Sequence, residues 1–250
     1  MERQSEVRMA NNKTELVVAL DIQDRTKAFA LAGKLSAKPV FIKVGWGLYP
    51  LIGHDGLIEL SKMFDGRVFL DFKLHDIPTV IAKGVENLMR TVNFRILTLH
   101  ASGGQEMMSL STEARDKCFN SGSMCTVKPI LLGVTVLTSM NETALKQIGS
   151  RFESAESAVM ELAKLAQTSG MDGVVSAVSE LKRIKSEFGS DFVVLTPGIR
   201  PSGSDTQDQA RVATPSSAKE LGSDYIVVGR PIIQANNPIE VVDQILHEIE

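Results

Sequence analysis

A chain of 250 residues with 43% apolar content can bury one substantial core, and α/β barrels reach this length without dividing. Its 30 acidic and 27 basic residues leave a net charge of -3 with no basic block, which argues against nucleic acid as a partner. No run approaches the roughly 18 apolar residues needed to cross a bilayer, and the polar start MERQSEVRMANNKTE lacks the hydrophobic segment of a secretory signal, so a cytoplasmic protein acting on small molecules is the expectation.

Residues 1–14 are expected to form a poorly ordered extension, within which Met9 is an alternative start, and residues 15–250 a single domain. From there, short β-branched runs recur in order: LVVALD (16–21), VFIKVG (40–45), RVFLDFK (67–73), FRILTLHASGG (94–104), ILLGVTVLTS (130–139), DGVVSA (172–177), FVVLTPGIR (192–200) and DYIVVGRP (224–231). Near-continuous apolar runs of this kind indicate parallel strands covered on both faces. Helical spacing of Ala, Leu and charged residues fills the intervals at 25–35, 56–63, 79–91, 104–115, 154–169, 178–188, 216–221 and 238–248. Eight such units predict a (β/α)8 TIM barrel in one domain, and no low-complexity linker divides it. The only cysteines, Cys118 and Cys125, fall in one hydrophilic connection without His or Cys neighbours and read as reduced thiols, not a metal site.

Each run ends on something reactive, small or charged: Asp21, Lys43, Asp71 with Lys73, Ser102 with Gly103, Thr138 with Ser139, Arg200, and Gly229 with Arg230. In a parallel barrel these ends share the face that carries catalytic groups. Taken singly, Asp21, Arg200 and Thr138 read more simply as caps, turn residues or solvated ends. Their agreement is what points to a site.

VFLDFKLHDIP (68–78) concentrates the charge. Strand alternation projects Asp71 and Lys73 from one face, with Cα atoms about 6.5 to 7 Å apart, and turns Phe72 toward the helices. Asp76 is placed to supply a second carboxylate to Lys73, and Lys43 on the neighbouring strand a second ammonium. An alternating Lys, Asp, Lys, Asp array results. A stable core gains more from apolar residues than from buried ion pairs, so the array is a functional candidate. Opposite neighbours hold the lysines protonated and the aspartates ionised, which favours proton donation over a neutral amine nucleophile. His75 is one residue out of phase and reads as structural.

The last two strands end in TPGIRPSG (196–203) and VVGRP (227–231), the position at which barrels often hold a phosphate. Arg200 and Arg230 offer planar donor forks, and Gly229 lets the backbone approach an anion. The polar PSGSDTQDQAR (201–211) between them is a candidate lid, with Gln209 reaching the phosphate.

From Leu16 to near the C-terminus the chain resembles the bacterial-type orotidine 5'-phosphate decarboxylases. DFKLHDIP is similar to their D-x-K-x-x-D signature, and VALD, FIKVG, HASGG, VTVLTS, TPGIRP, DQAR, TP and VVGRP follow in order. The resemblance implies decarboxylation to UMP, the last step of de novo pyrimidine synthesis, by a homodimer with no metal or organic cofactor. It implies that Lys43, Asp71, Lys73 and Asp76 form the catalytic network, with Lys73 the proton donor and Asp76 given to the neighbouring subunit. It further implies that Asp21 and Lys43 meet the ribose, Thr138 the pyrimidine, and Arg200, Gln209, Gly229 and Arg230 the phosphate, with Ser139 also among the substrate-binding residues. Where many relatives read D-I-P-N-T, this chain has Asp76-Ile77-Pro78-Thr79-Val80, so the fifth-position hydroxyl is missing and Thr79 is the substitute on offer.

Two other readings compete. Sugar-phosphate decarboxylases and aldolases of the same barrel superfamily share the signature but use Mg²⁺, and their second strand typically ends in Glu where this chain has Lys43; a hard cation prefers carboxylates. A non-catalytic nucleotide-binding barrel has no need of so costly a charge network.

Overall fold

In the computed structural model, residues 13–201 and 213–250 are described. Along them run β1 (Glu15–Ala19), α1 (Arg25–Leu35), β2 (Phe41–Gly45), α2 (Tyr49–Met63), β3 (Val68–Leu74), α3 (Pro78–Thr91), β4 (Ile96–His100), α4 (Gly104–Gly122), β5 (Ile130–Val134), α5 (Glu142–Gln147), α6 (Ala155–Thr168), β6 (Gly173–Val175), α7 (Val178–Phe188), β7 (Val193–Thr196), α8 (Pro215–Glu220), β8 (Tyr225–Val228), α9 (Arg230–Ile233) and α10 (Pro238–Glu248). The strands pair in parallel in chain order and β8 closes on β1, giving the (β/α)8 TIM barrel expected from the eight apolar runs.

Alternation along each strand sorts the core into two layers. Val17, Phe41, Phe69, Ile96 and Tyr225 pack inside the barrel, whereas Leu16, Ile42, Leu70, Leu97 and Ile226 face the helices. Because the inward positions are every second residue, the next ones toward the C-terminal face are Lys43, Asp71 and Thr98. The interior therefore changes from apolar to charged along its own axis.

The opposite face is held by aspartates that begin two strands. Asp172 accepts the Leu131 N–H at 2.8 Å and pairs with the Arg115 guanidinium, which is 3% exposed. Asp224 accepts the Val194 N–H at 2.7 Å and pairs with Lys185 at 2.8 Å. Each carboxylate thus fastens the strand before its own and a covering helix.

Several boundaries differ from those predicted. The second helix begins at Tyr49, not residue 56, and runs through a kink at Gly53, whose φ of 63° and ψ of -169° are open to glycine; Pro50 and Gly53 hid the first turn. α4 extends to Gly122, so Cys118 lies on it, and both cysteines are buried in spite of their hydrophilic sequence setting. Burial pushes the Cys125 thiol up to about 11. α5 and α9 were not anticipated; the first is opened by Asn141, whose side chain accepts the Ala144 N–H. Thr14, counted above with the N-terminal extension, is buried, and its hydroxyl donates to Ser223 O at 2.7 Å.

Replacing Asp172 with Ala is expected to destabilise the barrel by about 3 kcal/mol, since among the described residues Arg115 keeps only Asp116 as a carboxylate partner and the Leu131 N–H loses its acceptor. Urea unfolding checks this, with Arg115→Met expected to cost less because it leaves no buried charge behind.

Candidate active site

Four charged side chains meet at the C-terminal ends of β1, β2 and β3. Lys43, 8% exposed, points its Nζ at Asp21 Oδ1 (3.0 Å) and Asp71 Oδ2 (3.5 Å). The other Asp71 oxygen, Oδ1, accepts from Lys73 Nζ at 2.7 Å. The alternating array is present, but its order is Asp21, Lys43, Asp71, Lys73. Asp21, which looked like a turn residue when taken singly, adds its carboxylate at the Lys43 end of the array, whereas the local reading had placed the outer carboxylate, Asp76, at the Lys73 end.

Asp76 itself is exposed, and its Oδ1 accepts the Ile77 N–H at 2.7 Å. Among the described residues no ion pair joins it to Lys73, which corrects the expectation of a second carboxylate on that lysine from the same chain. The physical reason is local: beyond β3 the backbone turns into α3, and the Asp76 carboxylate bonds to the N–H of its own neighbour.

Lys73 reaches Asp71 by a different route from simple alternation. Its φ is 47°, a left-handed conformation that costs a non-glycine residue roughly 1 to 2 kcal/mol. The β3–β4 register slips at the same place: Leu70 is opposite Leu97 but Leu74 is opposite Leu99. Four residues of β3 thus span two of β4, a bulge that re-aims the lysine at the mouth. Phe72 does face outward as predicted, against Trp46 and Tyr49, and its carbonyl accepts the Trp46 indole N–H at 2.9 Å.

Two residues escaped the sequence reading. Gly45 is the inward position after Lys43, and a Cβ there would lie 3.3 Å from Lys43 Nζ; its lack of a side chain leaves room for the ammonium. Thr98, fully buried on β4, accepts the Lys73 N–H at 3.0 Å and donates to Asp71 Oδ1 at 3.2 Å. Inward alternation along FRILTLH was the available signal, but a threonine in an apolar run is ordinary strand composition.

The other expected site residues are spread around the same face. Arg200, 7% exposed, follows β7 and its N–H donates to Ala213 O at 3.0 Å. Gly229 precedes α9, and Arg230 is that helix's first residue and is exposed. Thr79 is exposed in the first turn of α3. Thr138 and Ser139 lie beyond the strand they were assigned to, exposed in a turn, because β5 ends at Val134. Gln209 lies outside the described residues.

His100, at the end of β4, and His75 lie with ring centroids 5.3 Å apart and ring planes tilted by 36°. Burial, with added repulsion from His75 and Lys73 and a smaller opposing pull from Asp71, holds the His100 imidazole below its ordinary pKa.

A family model described as "Orotidine 5'-phosphate decarboxylase / HUMPS family" matches residues 14–245. An orotidine 5'-phosphate decarboxylase of Idiomarina loihiensis is 44% identical over 236 residues, covering 94% of this chain and 97% of that one. One from Pseudoalteromonas translucida is 41% identical over 237 residues, covering 94% and 97%. Among solved structures, orotidine 5'-phosphate decarboxylase from Lactobacillus acidophilus superposes with a TM-score of 0.83 at 34% identity, covering 95% of this chain and 99% of that one.

A depressed His100 pKa makes a signed prediction. The unfolded chain takes up the proton near pH 6.5 and the folded chain does not, so this contribution is complete above about 6.5 and is lost as pH falls through the folded value. Ring-proton NMR should titrate His100 below 6.5, and thermal unfolding of His100→Gln should lose less stability than wild type between about pH 7 and 5.

Proposed function

The chain belongs to the orotidine 5'-phosphate decarboxylase / HUMPS family, and from this we propose that it converts orotidine 5'-phosphate to UMP and CO2 without a metal. The observation that supports this choice within the family is the position of Lys43. Its ammonium stands between the Asp21 and Asp71 carboxylates, where a hard cation would otherwise find its oxygen ligands. Activity undiminished by EDTA separates this reading from the Mg²⁺-dependent sugar-phosphate enzymes of the superfamily.

In this reading the substrate's C6 carboxylate enters beside Asp71, and like-charge crowding there is relieved as CO2 leaves. The C6–carboxylate bond breaks, its electron pair stays on C6, and Lys73 Nζ delivers a proton to that carbon before recovering one from water. One ion pair at 4 Å and an effective dielectric near 20 amounts to about 4 kcal/mol, against the roughly 8 to 23 kcal/mol by which enzymes lower barriers. Lys73 alone is therefore insufficient. Binding energy from the phosphate, at Arg200, Gln209, Gly229 and Arg230, must help to position the ring and exclude water. Asp21 and Lys43 take the ribose, and Thr138 with Ser139 the pyrimidine edge.

A second subunit completes the site. Asp76 sits at the surface, followed in the chain by two exposed apolar residues, Ile77 (61% exposed) and Val80 (46%), and Trp46, which bonds to the Phe72 carbonyl, is 59% exposed. Apolar side chains flanking a charged one suit burial against another copy of the chain, into whose Lys73 the Asp76 carboxylate would reach, with Thr79 offered to its ribose.

The test is to add orotidine 5'-phosphate in the presence of EDTA and follow the orotate absorbance, which is expected to fall; no change at high enzyme concentration would leave a non-catalytic nucleotide-binding barrel. Lys73→Ala is expected to remove turnover while UMP still binds, and Arg230→Ala chiefly to weaken UMP binding. For the shared site, equal amounts of Lys73→Ala and Asp76→Ala proteins, each inactive, are expected to regain about a quarter of wild-type activity on subunit exchange. No recovery despite proven exchange would return Asp76 to its own subunit.

A further inference from the structure

We propose that Thr98 is a positioning residue that sets the aim of Lys73, acting through both the backbone and the carboxylate partner of that lysine. Its catalytic part rests on the decarboxylase reading above. Three observations combine. First, the Lys73 N–H has lost its place in the β3–β4 ladder, because the register slips between Leu70 and Leu74, and Thr98 Oγ1 takes it at 3.0 Å. Second, the same hydroxyl lies 3.2 Å from Asp71 Oδ1, the oxygen that accepts from Lys73 Nζ at 2.7 Å. Third, Thr98 is fully buried, so no water is at hand to replace either contact.

The chemistry fixes the direction of each bond. A backbone N–H only donates, so Thr98 Oγ1 must accept from Lys73; an ionised carboxylate only accepts, so the Thr98 proton goes to Asp71. The Leu70 carbonyl, at 3.5 Å, is the weaker rival for that proton. A closed ring results: Lys73 N–H to Thr98, Thr98 O–H to Asp71, Asp71 to Lys73 Nζ. It locks both ends of one residue, the main chain in its left-handed conformation at φ 47° and the ammonium at the tip. Without the hydroxyl, the left-handed bulge loses its acceptor and can relax toward ordinary strand geometry, which swings the side chain away from the mouth. A reacting group displaced by about 1 Å can cost about 100-fold in rate while binding elsewhere on the substrate persists.

Thr98→Val keeps the shape and removes the hydroxyl; Thr98→Ser keeps the hydroxyl and removes the methyl; Thr98→Ala removes both. Three readouts decide: kcat and KM for orotidine 5'-phosphate, UMP affinity, and hydrogen exchange at the Lys73 amide. Expected in Thr98→Val are a fall in kcat of about 100-fold, little change in KM or UMP affinity, and faster exchange at Lys73; Thr98→Ser is expected to recover kcat and slow exchange. Wild-type kcat in the valine variant, an equal loss in the serine variant, or a loss confined to KM would overturn the proposal. If the valine variant does not fold, the alanine and serine variants carry the same contrast, equality between them being the contrary result. An inactive wild type with a slowly exchanging Lys73 amide would instead count against the decarboxylase reading, a separate failure.

Discussion

Two ammonium groups cannot share one partly buried barrel mouth unless an anion stands between them, and Asp71 is that anion. Its two oxygens are divided, Oδ1 to Lys73 and Oδ2 to Lys43, so the carboxylate holds both cations at once. Asp21 then balances the far side of Lys43. Remove Asp71 and like charges face each other in a poorly solvated cavity, where either repulsion or loss of a proton follows. The same carboxylate is the only fixed negative charge that a C6 carboxylate would meet beside Lys73 among the described residues of this array. Holding the lysines and opposing the substrate are thus one property of one side chain.

The rest of the fold serves that division of charge. Barrel closure brings the ends of β1, β2 and β3 side by side, and the two-residue period of the strands turns Lys43 and Asp71 inward above Phe41 and Phe69. Gly45 leaves room for the Lys43 ammonium, and the bulge in β3 bends Lys73 over Asp71. Charge on the other face does different work. Asp172 and Asp224 spend their oxygens on backbone N–H groups of the preceding strands and on cations from covering helices, which fastens the scaffold.

Much of this was legible in the residues. Eight apolar runs separated by helical spacing gave the barrel, because strands buried on both faces need continuous apolar sequence. Lys43, Asp71 and Lys73 were legible as charges at strand ends. Asp21 was legible as a polar strand end, but its pairing with Lys43 was not, since that depends on the register of β1 with β2. The role of Thr98 was hidden for a similar reason: it follows from a slip between neighbouring strands, and pairing register is not written in either strand alone. The first turn of α2 was masked by Pro50 and Gly53, residues that suit a helix start and a kink but read as breakers. Asp76 shows the opposite case, in which a single chain leaves a carboxylate at the surface and only family resemblance suggests where it acts.

Central to the whole reading is that Lys73 exchanges a proton with C6 of the pyrimidine. Microscopic reversibility lets the product report on it: UMP incubated with enzyme in D2O should exchange its C6 hydrogen for deuterium, followed by NMR, at a rate that vanishes in Lys73→Met while UMP remains bound. Exchange that continues undiminished in Lys73→Met would contradict it.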